Sequence, residues 1–245
     1  MIDIVIPMYN AVEYSKRCVA SIRKTLVGIP YRMHLLDNGS TDDTRLWLEN
    51  LTGADVEIQT VPLNLGAPKG KNIILGQVQP RDYVLFIDND IEFLPGWLKP
   101  FLDLFAAHED AGIVGIEGYN MTIHAEHRSL ERVLASFPCP CHILRGCLMM
   151  ARGELVSKLG GFDEKCGMYW HDDDDFCIRA IGAGYQNYVI STDKVIHHES
   201  RSSCTLAHVR NLADSARVQK YLVEKWRHLG LVDPKTYQPR SRVLK

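Results

Sequence analysis

The stretch YVLFIDND, residues 83–90, decides the fold of this 245-residue chain. Its first five residues are apolar or aromatic, which predicts a short strand that is buried on both faces. The strand passes directly into Asp88, Asn89 and Asp90. Because open α/β sheets bind ligands beyond the carboxyl ends of such strands, we expect a binding site here. Taken alone, the triplet fits a simple turn as well as a metal site.

Short apolar runs alternate with helical patterns on both sides of this stretch. Such alternation is typical of a mainly parallel sheet that is covered by helices. Predicted strands cover residues 2–6, 33–36, 56–61 and 112–118, and predicted helices cover 12–26, 42–51, 68–76 and 97–108.

The alternation weakens after residue 118, where a second half of the molecule is expected to begin. Residues 119–140 look irregular, and no motif fits them. Apolar residues at helical spacing between Leu206 and Leu229, with Val209 among them, predict an amphipathic helix that packs on the core. A loose polar tail is expected to follow it. Predicted elements between these segments are strands at 144–151, 188–190 and 194–197 and a helix at 175–183.

Composition narrows the class of protein. A hydrophobic fraction of 46% indicates a globular protein, and a net charge of −2 argues against nucleic-acid binding. No apolar run reaches the roughly 18–20 residues that a membrane span needs, and the first residues lack a basic region, so neither a span nor a secretory signal is expected. Seven scattered cysteines predict a reducing, cytoplasmic location, and Cys139 with Cys141 is a weak zinc signal.

Several motifs, in their order along the chain, resemble the family 2 glycosyltransferases of the GT-A fold. They are IVIPMYN at 4–10, LDNGSTDDT at 36–44, NLG at 64–66, GKN at 70–72, GGFDE at 160–164, HDDDDFCIR at 171–179 and VIH at 195–197. The resemblance implies one Rossmann-like, mainly parallel sheet flanked by helices, with a smaller acceptor-side subdomain. It assigns residues 1–118 to a nucleotide-sugar donor, 119–205 to the acceptor and catalytic base, and leaves 206–245 as the C-terminal helix and tail.

The resemblance also implies which residues bind the donor. It places Asp37 against the pyrimidine ring, where a carboxylate would accept the ring N3–H and favour uracil or thymine over cytosine. Lys71 stands where the family usually has arginine, so its contact with the phosphate or the base differs. A solvated charge at the start of a helix explains Lys71 equally well. The implied donor-binding residues are Pro7, Tyr9, Asn10, Asp37, Gly66, Lys71, Asp88 and Asn89.

A metal site is implied around the Asp88–Asp90 triplet. Asp90 is expected to bind the metal directly, and Asp88 either bonds the donor sugar or reaches the metal through water. His197 completes the shell by its spacing from Ser202, with His198 as the second choice. Imidazole and carboxylates accept Mn²⁺ readily, whereas Mg²⁺ prefers oxygen ligands, and both metals remain open.

The catalytic base is implied within the run of four aspartates. Asp173 falls at the position of the family's base, and Asp172, where the family has glutamate, is a candidate acceptor contact. Repulsion among these carboxylates should raise the pKa of at least one of them, which suits a base. Asp174 and Asp175 are expected to serve the start of a helix and its packing.

The predicted reaction is inverting, metal-assisted transfer of a hexosyl or deoxyhexosyl group from a UDP- or dTDP-sugar to a hydroxyl. The acceptor is a glycan, a lipid-linked molecule or a small molecule. A sugar nucleotidylyltransferase is the first alternative, but no glycine-rich phosphate loop follows the first strand. An inactive glycan- or nucleotide-binding relative is the second. The C-terminal helix could instead form a homodimer contact or lie at a membrane surface.

Overall fold

An eight-stranded mixed sheet forms the centre of the computed structural model. The structure describes residues 1–124, 127–134, 137–169, 171–198, 212–233 and 238–240. In spatial order the strands are β3 (Val56–Val61), β2 (Tyr31–Asn38), β1 (Ile2–Met8), β4 (Tyr83–Ile87), β11 (Leu148–Arg152), β6 (Ala111–Gly115), β12 (Gln186–Val189) and β9 (Cys139–Cys141).

Most of this sheet is parallel, as the sequence predicts. Strand β1 pairs in parallel with β2 and β4, and only β11 and β9 run against their neighbours. The helices that flank the sheet are α1 (Val12–Thr25), α2 (Thr44–Glu49), α3 (Ala67–Leu75), α4 (Lys99–Ala107), α5 (Gly153–Leu159), α6 (Asp172–Gly182) and α7 (Leu212–His228).

The strand that decides the fold is buried on both faces. Val84 and Phe86 of β4 pack into one apolar cluster, whereas Leu85 and Ile87 pack into the cluster on the opposite face. None of these four side chains is more than 1% exposed. A continuous apolar run is what a strand between two helical layers requires.

Two small sheets bring further strands against the large one. The first contains β10 (Ile143–Leu144), β7 (Gly118–His124) and β8 (His127–Arg132), and the second pairs β13 (Val195–His197) with β5 (Ile91–Phe93). The expectation that residues 119–140 are irregular is therefore wrong. Met121 and Ile123 alternate with polar residues and are fully buried, so a short two-residue period is present there.

Helix α7 packs within the molecule, as expected. Its residues Val218, Leu222, Val223 and Trp226 are all fully buried in the core. Ser202, Leu206 and Val209, and most of the tail, lie outside the described residues. The tail residues 238–240 are not loose, because Pro239 forms a β-bridge with Val232.

Lys225 fixes α7 to the helix that carries the aspartate run. Its Nζ lies 2.7 Å from Asp163 Oδ2 and 2.8 Å from Asp175 Oδ1, and Asp175 is fully buried. Removing one partner of a buried ion pair leaves an uncompensated charge.

Replacing Lys225 by methionine should therefore lower the free energy of unfolding by about 3 kcal/mol, as measured by urea denaturation. Arg217→Met on the same helix is the matched control, since its ion pair with Asp214 is 61% exposed at the arginine. That control should change stability by less than about 0.5 kcal/mol. Equal losses in the two variants would contradict the role of Lys225.

Candidate active site

A cleft of about 540 Å³ opens beyond the carboxyl ends of β1 and β4. Residues from both halves of the chain line it, which places the site where open α/β sheets bind ligands. Among the residues that the sequence singles out, those lining the cleft are Pro7, Tyr9, Lys71, Asp88, Asn89, Asp90, Asp172, Asp173 and His197.

Three side chains in the cleft could hold a metal ion. Asp88 and Asp90 lie in the turn between β4 and β5, and β13 pairs with β5 so that His197 lies opposite Ile91. One ligand atom from each of Asp88, Asp90 and His197 lies within 4.8 Å of the others. The register of a two-stranded sheet thus brings a histidine to an acidic pair far away in sequence.

The charges of this group fit a divalent cation. Asp90 Oδ1 is buried and accepts no hydrogen bond of good geometry from the described residues, and His197 Nε2 lies 3.4 Å from it. The neighbouring Asp90 carboxylate, followed by Cys147, raises the pKa of His197 to about 11. Burial raises the pKa of Asp88 to about 6. The shift of His197 reflects the attraction of positive charge by Asp90, and two carboxylates with one imidazole suit Mn²⁺ or Mg²⁺.

His198, the second choice for a metal ligand, faces a different partner. Its Nε2 lies 3.1 Å from Glu92 Oε2, and its ring centroid lies 5.1 Å from that of Tyr14. It does not line the cleft. The geometry therefore favours His197 over His198 as a ligand.

Three of the four aspartates in the run lie within ion-pair distance of basic residues, and two of them, Asp172 and Asp174, have a single such partner. Asp172 accepts a hydrogen bond of 2.8 Å from Lys71 Nζ, and both side chains are buried. Asp174 Oδ2 lies 2.8 Å from His171 Nδ1. Lys71 is consequently a buried counter-charge to Asp172, which differs from the solvated helix-start charge that was one reading of the sequence.

Asp175 is held by several donors and is inaccessible. It accepts hydrogen bonds from Arg179 Nε at 2.7 Å and from Trp226 Nε1 at 3.0 Å, in addition to its contact with Lys225. Its predicted packing role is confirmed. The helix begins at Asp172 and not at Asp175, because acidic residues are favourable throughout the first turn of a helix.

Asp173 differs from its neighbours, since it has no cation within ion-pair distance among the described residues. Its Oδ2 accepts a 2.8 Å hydrogen bond from the Gly146 backbone N–H. Burial, followed by the charges of Asp174 and Asp172, raises the pKa of Asp173 to about 6. A carboxylate with such a pKa can accept a proton near neutral pH.

The loop that bonds Asp173 interrupts a predicted strand. The run 144–151 was expected to be one strand, but β10 ends at Leu144 and β11 begins at Leu148. Between these strands the Gly146 N–H donates a hydrogen bond to Asp173, and Cys147 O accepts a 3.0 Å hydrogen bond from Asp88 N. This loop therefore contacts both the aspartate run and the candidate metal group.

Two of the predicted donor-binding residues, Asn89 and Asn10, form hydrogen bonds within the protein. Asn89 lines the cleft, but its Nδ2 donates to Asn10 O at 3.0 Å and to Ser15 Oγ at 2.7 Å. Asn10 Oδ1 accepts a hydrogen bond of 2.6 Å from Thr41 N. These contacts join the loop after β1 to the turn after β2.

Asn10, Asp37 and Gly66 do not line the cleft. Asp37 lies near the end of β2 and accepts a 2.9 Å hydrogen bond from Ser40 N through Oδ1. Its Oδ2 is buried and has no hydrogen-bond partner among the described residues. Its role toward a pyrimidine ring stays a prediction.

Gly66 lets two loops approach each other before α3. Its φ is +87°, and a Cβ there would lie 2.7 Å from Met168 Cα. Asn38 Nδ2 donates to Gly66 O at 3.1 Å, and Asn64 Oδ1 accepts from Gly66 N at 2.9 Å. Glycine is required here by both conformation and space.

Gly66→Ala should lower the free energy of unfolding more than Gly96→Ala does. Gly96 has a similar φ of +88° but nothing within 4 Å of an added Cβ. Each substitution pays a conformational cost of about 1–3 kcal/mol, and only Gly66→Ala adds a backbone overlap of about 1–3 kcal/mol. Chemical denaturation measures the difference, and equal losses would contradict the overlap.

Further cleft residues were not predicted as site residues. Tyr169, whose hydroxyl accepts a 2.6 Å hydrogen bond from Asn64 Nδ2, lies on the wall with Glu117 and Arg145. Asn64 belongs to the quoted NLG motif at 64–66, so that motif held a signal for it. Glu117 and Arg145 flank the segment that no motif fits, and only the folded chain brings them to the cleft.

The sequence of the chain matches a known protein family. A family model described as glycosyl transferase family 2 matches residues 3–160, which is more than half of the chain. The pre-mycofactocin glycosyltransferase of Mycobacterium tuberculosis is 28% identical over 196 residues, covering 75% of this chain. The chain spans 29% and 39% of the length of the first two curated relatives it matches.

Solved structures of other proteins have the same fold as this chain. TarS of S. aureus in complex with UDP-GlcNAc superposes with a TM-score of 0.59 at 19% identity, over 79% of this chain and 57% of that one. The mannosyltransferase PcManGT of Pyrobaculum calidifontis, in complex with GDP-Man and Mn²⁺, gives 0.57 at 17% identity, over 78% and 54%. The predicted GT-A fold is confirmed by these likenesses. No helix in the described part of the chain is long and apolar enough to cross a membrane.

Proposed function

Because the chain belongs to the family 2 glycosyltransferases, we propose that its cleft transfers a sugar from a nucleoside-diphosphate donor to a hydroxyl with inversion. UDP and dTDP are the preferred nucleotides, on the ground of the pyrimidine contact that the family resemblance implies for Asp37. Solved relatives in complex with UDP-GlcNAc, or with GDP-Man and Mn²⁺, support a nucleotide-sugar donor and a divalent metal.

One observation carries the proposal. The cleft holds three side chains that could bind a metal and, beside them, the Asp173 carboxylate, which has no cation within ion-pair distance among the described residues. Lys71 pairs with Asp172, Arg179 and Lys225 pair with Asp175, and His171 Nδ1 lies within hydrogen-bond distance of Asp174. Asp173 is left as the group that can take up a proton.

Asp90 and His197 would hold the metal directly, with Asp88 as a further ligand or a contact to the donor. A bound divalent ion would supply positive charge that stabilises the leaving diphosphate. The buried, unbonded Oδ1 of Asp90 and the proton drawn to His197 are the features of the chain that fit such an ion.

Asp173 would act as the base that removes the proton from the attacking hydroxyl. The Gly146 N–H fixes one of its oxygens at 2.8 Å and orients the carboxylate. The ion pair between Lys71 and Asp172 positions the start of α6 at the cleft wall. Inversion needs the base on the face of the sugar opposite the diphosphate, and Asp173 comes from the second half of the chain whereas residues of both halves form the metal group.

Slow donor hydrolysis tests the proposal without a known acceptor. UDP-, dTDP- and GDP-sugars would each be incubated with the protein and Mn²⁺, and release of nucleoside diphosphate and the configuration of the free sugar would be followed by NMR. We expect release from a UDP- or dTDP-sugar with inverted configuration. Retained configuration, or no release from any donor, would reject the proposal.

The pH dependence of the reaction should follow Asp173. Because its pKa is raised to about 6, the carboxylate is protonated below that pH and cannot accept a proton. We expect kcat/KM for hydrolysis to fall about tenfold per pH unit on the acid side. In Asp174→Asn, which removes a charge that raises this pKa, the acid limb should move to lower pH. An unmoved limb in that variant would contradict the assignment.

A further inference from the structure

Two arginines face a single glutamate on the wall of the cleft. Arg145 Nε lies 3.9 Å, and Arg132 Nε 4.0 Å, from the same Oε1 of Glu117. Both distances are longer than a hydrogen bond. The same oxygen already accepts a hydrogen bond from the Tyr119 hydroxyl. Both guanidinium groups therefore share the Glu117 carboxylate, and the charges of Asp173 and Asp174 also act on Arg145.

Arg145 is presented to the cleft by an aromatic ring. Its guanidinium carbon lies 4.9 Å from the centroid of the Tyr119 ring. Stacking of the planar group on a ring leaves its N–H edges available for an anion. The side chain of Arg145 is 51% exposed and lines the cleft, and that of Arg132 is 58% exposed beside Glu117, which also lines it.

The position of Arg145 relates it to the acceptor. The next residue, Gly146, donates its N–H to Asp173, and Cys147 O accepts from Asp88 N. Arg145 therefore begins the loop that contacts the proposed base and the candidate metal group. A hydroxyl that loses its proton to Asp173 must lie within about 3 Å of that carboxylate. A substituent a few bonds away from the hydroxyl would then meet the guanidinium groups.

We propose that Arg145 and Arg132 bind a phosphate ester group carried by the acceptor. This inference rests on the proposed function and gives the chemical class of the acceptor for the same site. A guanidinium offers paired N–H donors that match phosphate oxygens. Neither guanidinium Nε lies within hydrogen-bond distance of Glu117 Oε1, so both groups can donate to phosphate oxygens. The donor's diphosphate is the other anion that could use these groups, and it belongs beside the metal group.

Calorimetry with a small acceptor analogue tests the inference. The protein saturated with UDP and Mn²⁺ would be titrated with glycerol 3-phosphate, and with glycerol as the uncharged match. We expect glycerol 3-phosphate to bind more tightly than glycerol. Arg145→Gln should weaken its binding by about tenfold or more, because hydrogen bonds to a charged group are lost. Arg132→Gln should weaken it in the same direction.

Arg45→Gln is the matched control, because Arg45 is 56% exposed and forms an ion pair with Glu49 at 3.1 Å outside the cleft. It should bind glycerol 3-phosphate like the wild type. All three variants should keep the wild-type Tm, since exposed arginines contribute little to stability. UDP affinity should be unchanged in each of them.

A second arm distinguishes a soluble phosphate from a lipid headgroup. The same proteins would be sedimented with vesicles of phosphatidylcholine, alone or mixed with an equal amount of phosphatidylglycerol. Binding that depends on Arg145 in only one arm supports the inference and identifies the source of the phosphate.

Two results would overturn it. They are a wild type that binds in neither arm or binds independently of Arg145 in both, and a loss of UDP affinity in Arg145→Gln equal to the loss for glycerol 3-phosphate. If the wild type fails to bind UDP with Mn²⁺, the proposed function fails and takes this inference with it.

Discussion

Replacing Asp173 by asparagine is expected to lower kcat by about 10²- to 10⁴-fold, which is the usual contribution of a general base. Asparagine keeps the shape of the side chain and can still accept the Gly146 N–H, so the fold should survive. The amide cannot take up the proton of the attacking hydroxyl. Steady-state kinetics of transfer or of donor hydrolysis measure the loss, and thermal unfolding shows whether the protein remains folded.

Asp174→Asn is the matched control for this variant. Asp174 is the next residue in the same helical turn, but it bonds His171 and does not line the cleft. Its kcat should change far less than that of Asp173→Asn, and UDP binding should be retained in both. Near-normal turnover in a folded Asp173→Asn protein would show that another group is the base.

Replacing His197 by alanine is expected to lower kcat/KM by about 10³-fold, because metal-borne charge stabilises the leaving group by several kcal/mol. His197 Nε2 belongs to the group of three candidate ligands, and the buried Asp90 carboxylate lies 3.4 Å from it. Mn²⁺ titration followed by calorimetry should show weaker metal binding in the variant. A higher Mn²⁺ concentration should restore part of the rate.

His198→Ala is a sharp control, since it removes the same side chain one residue away. His198 contacts Glu92 and Tyr14 and is absent from the cleft lining. This variant should keep its Mn²⁺ affinity and most of its rate. If His198→Ala lost metal binding and His197→Ala did not, the ligand assignment would be wrong.

The elements that sequence reasoning predicted well have local causes. The strand β4 is a continuous apolar run because helices cover both faces of the sheet, and burial on both faces leaves no polar position. The hairpin of β7 and β8 was missed because its apolar alternation is short and lies among histidines and charged residues. The break between β10 and β11 was missed because its cause is long-range. It depends on backbone contacts with Asp88 and Asp173.

In the candidate site, too, local features could be predicted from the sequence and long-range contacts could not. Asp88 and Asp90 could be expected at a ligand site because they follow a buried strand. Their proximity to His197 depends on the pairing of β5 with β13, which no local pattern reveals, and only the family resemblance pointed to it. The pairing of Lys71 with Asp172 spans 101 residues and was not predicted. Charge compensation within the aspartate run is therefore a property of the folded chain.

Thermal unfolding with nucleotides and metals tests the central claim, a metal-dependent nucleotide-sugar site, most directly. UDP, dTDP and GDP would each be added with Mn²⁺, with Mg²⁺ or with a chelator. We expect UDP or dTDP together with a metal to raise Tm by about 5–10 °C at a hundredfold excess over Kd. The chelator should abolish that rise, and Asp90→Asn should lack it. An absence of any shift, or an equal shift in the presence of chelator, would contradict the claim.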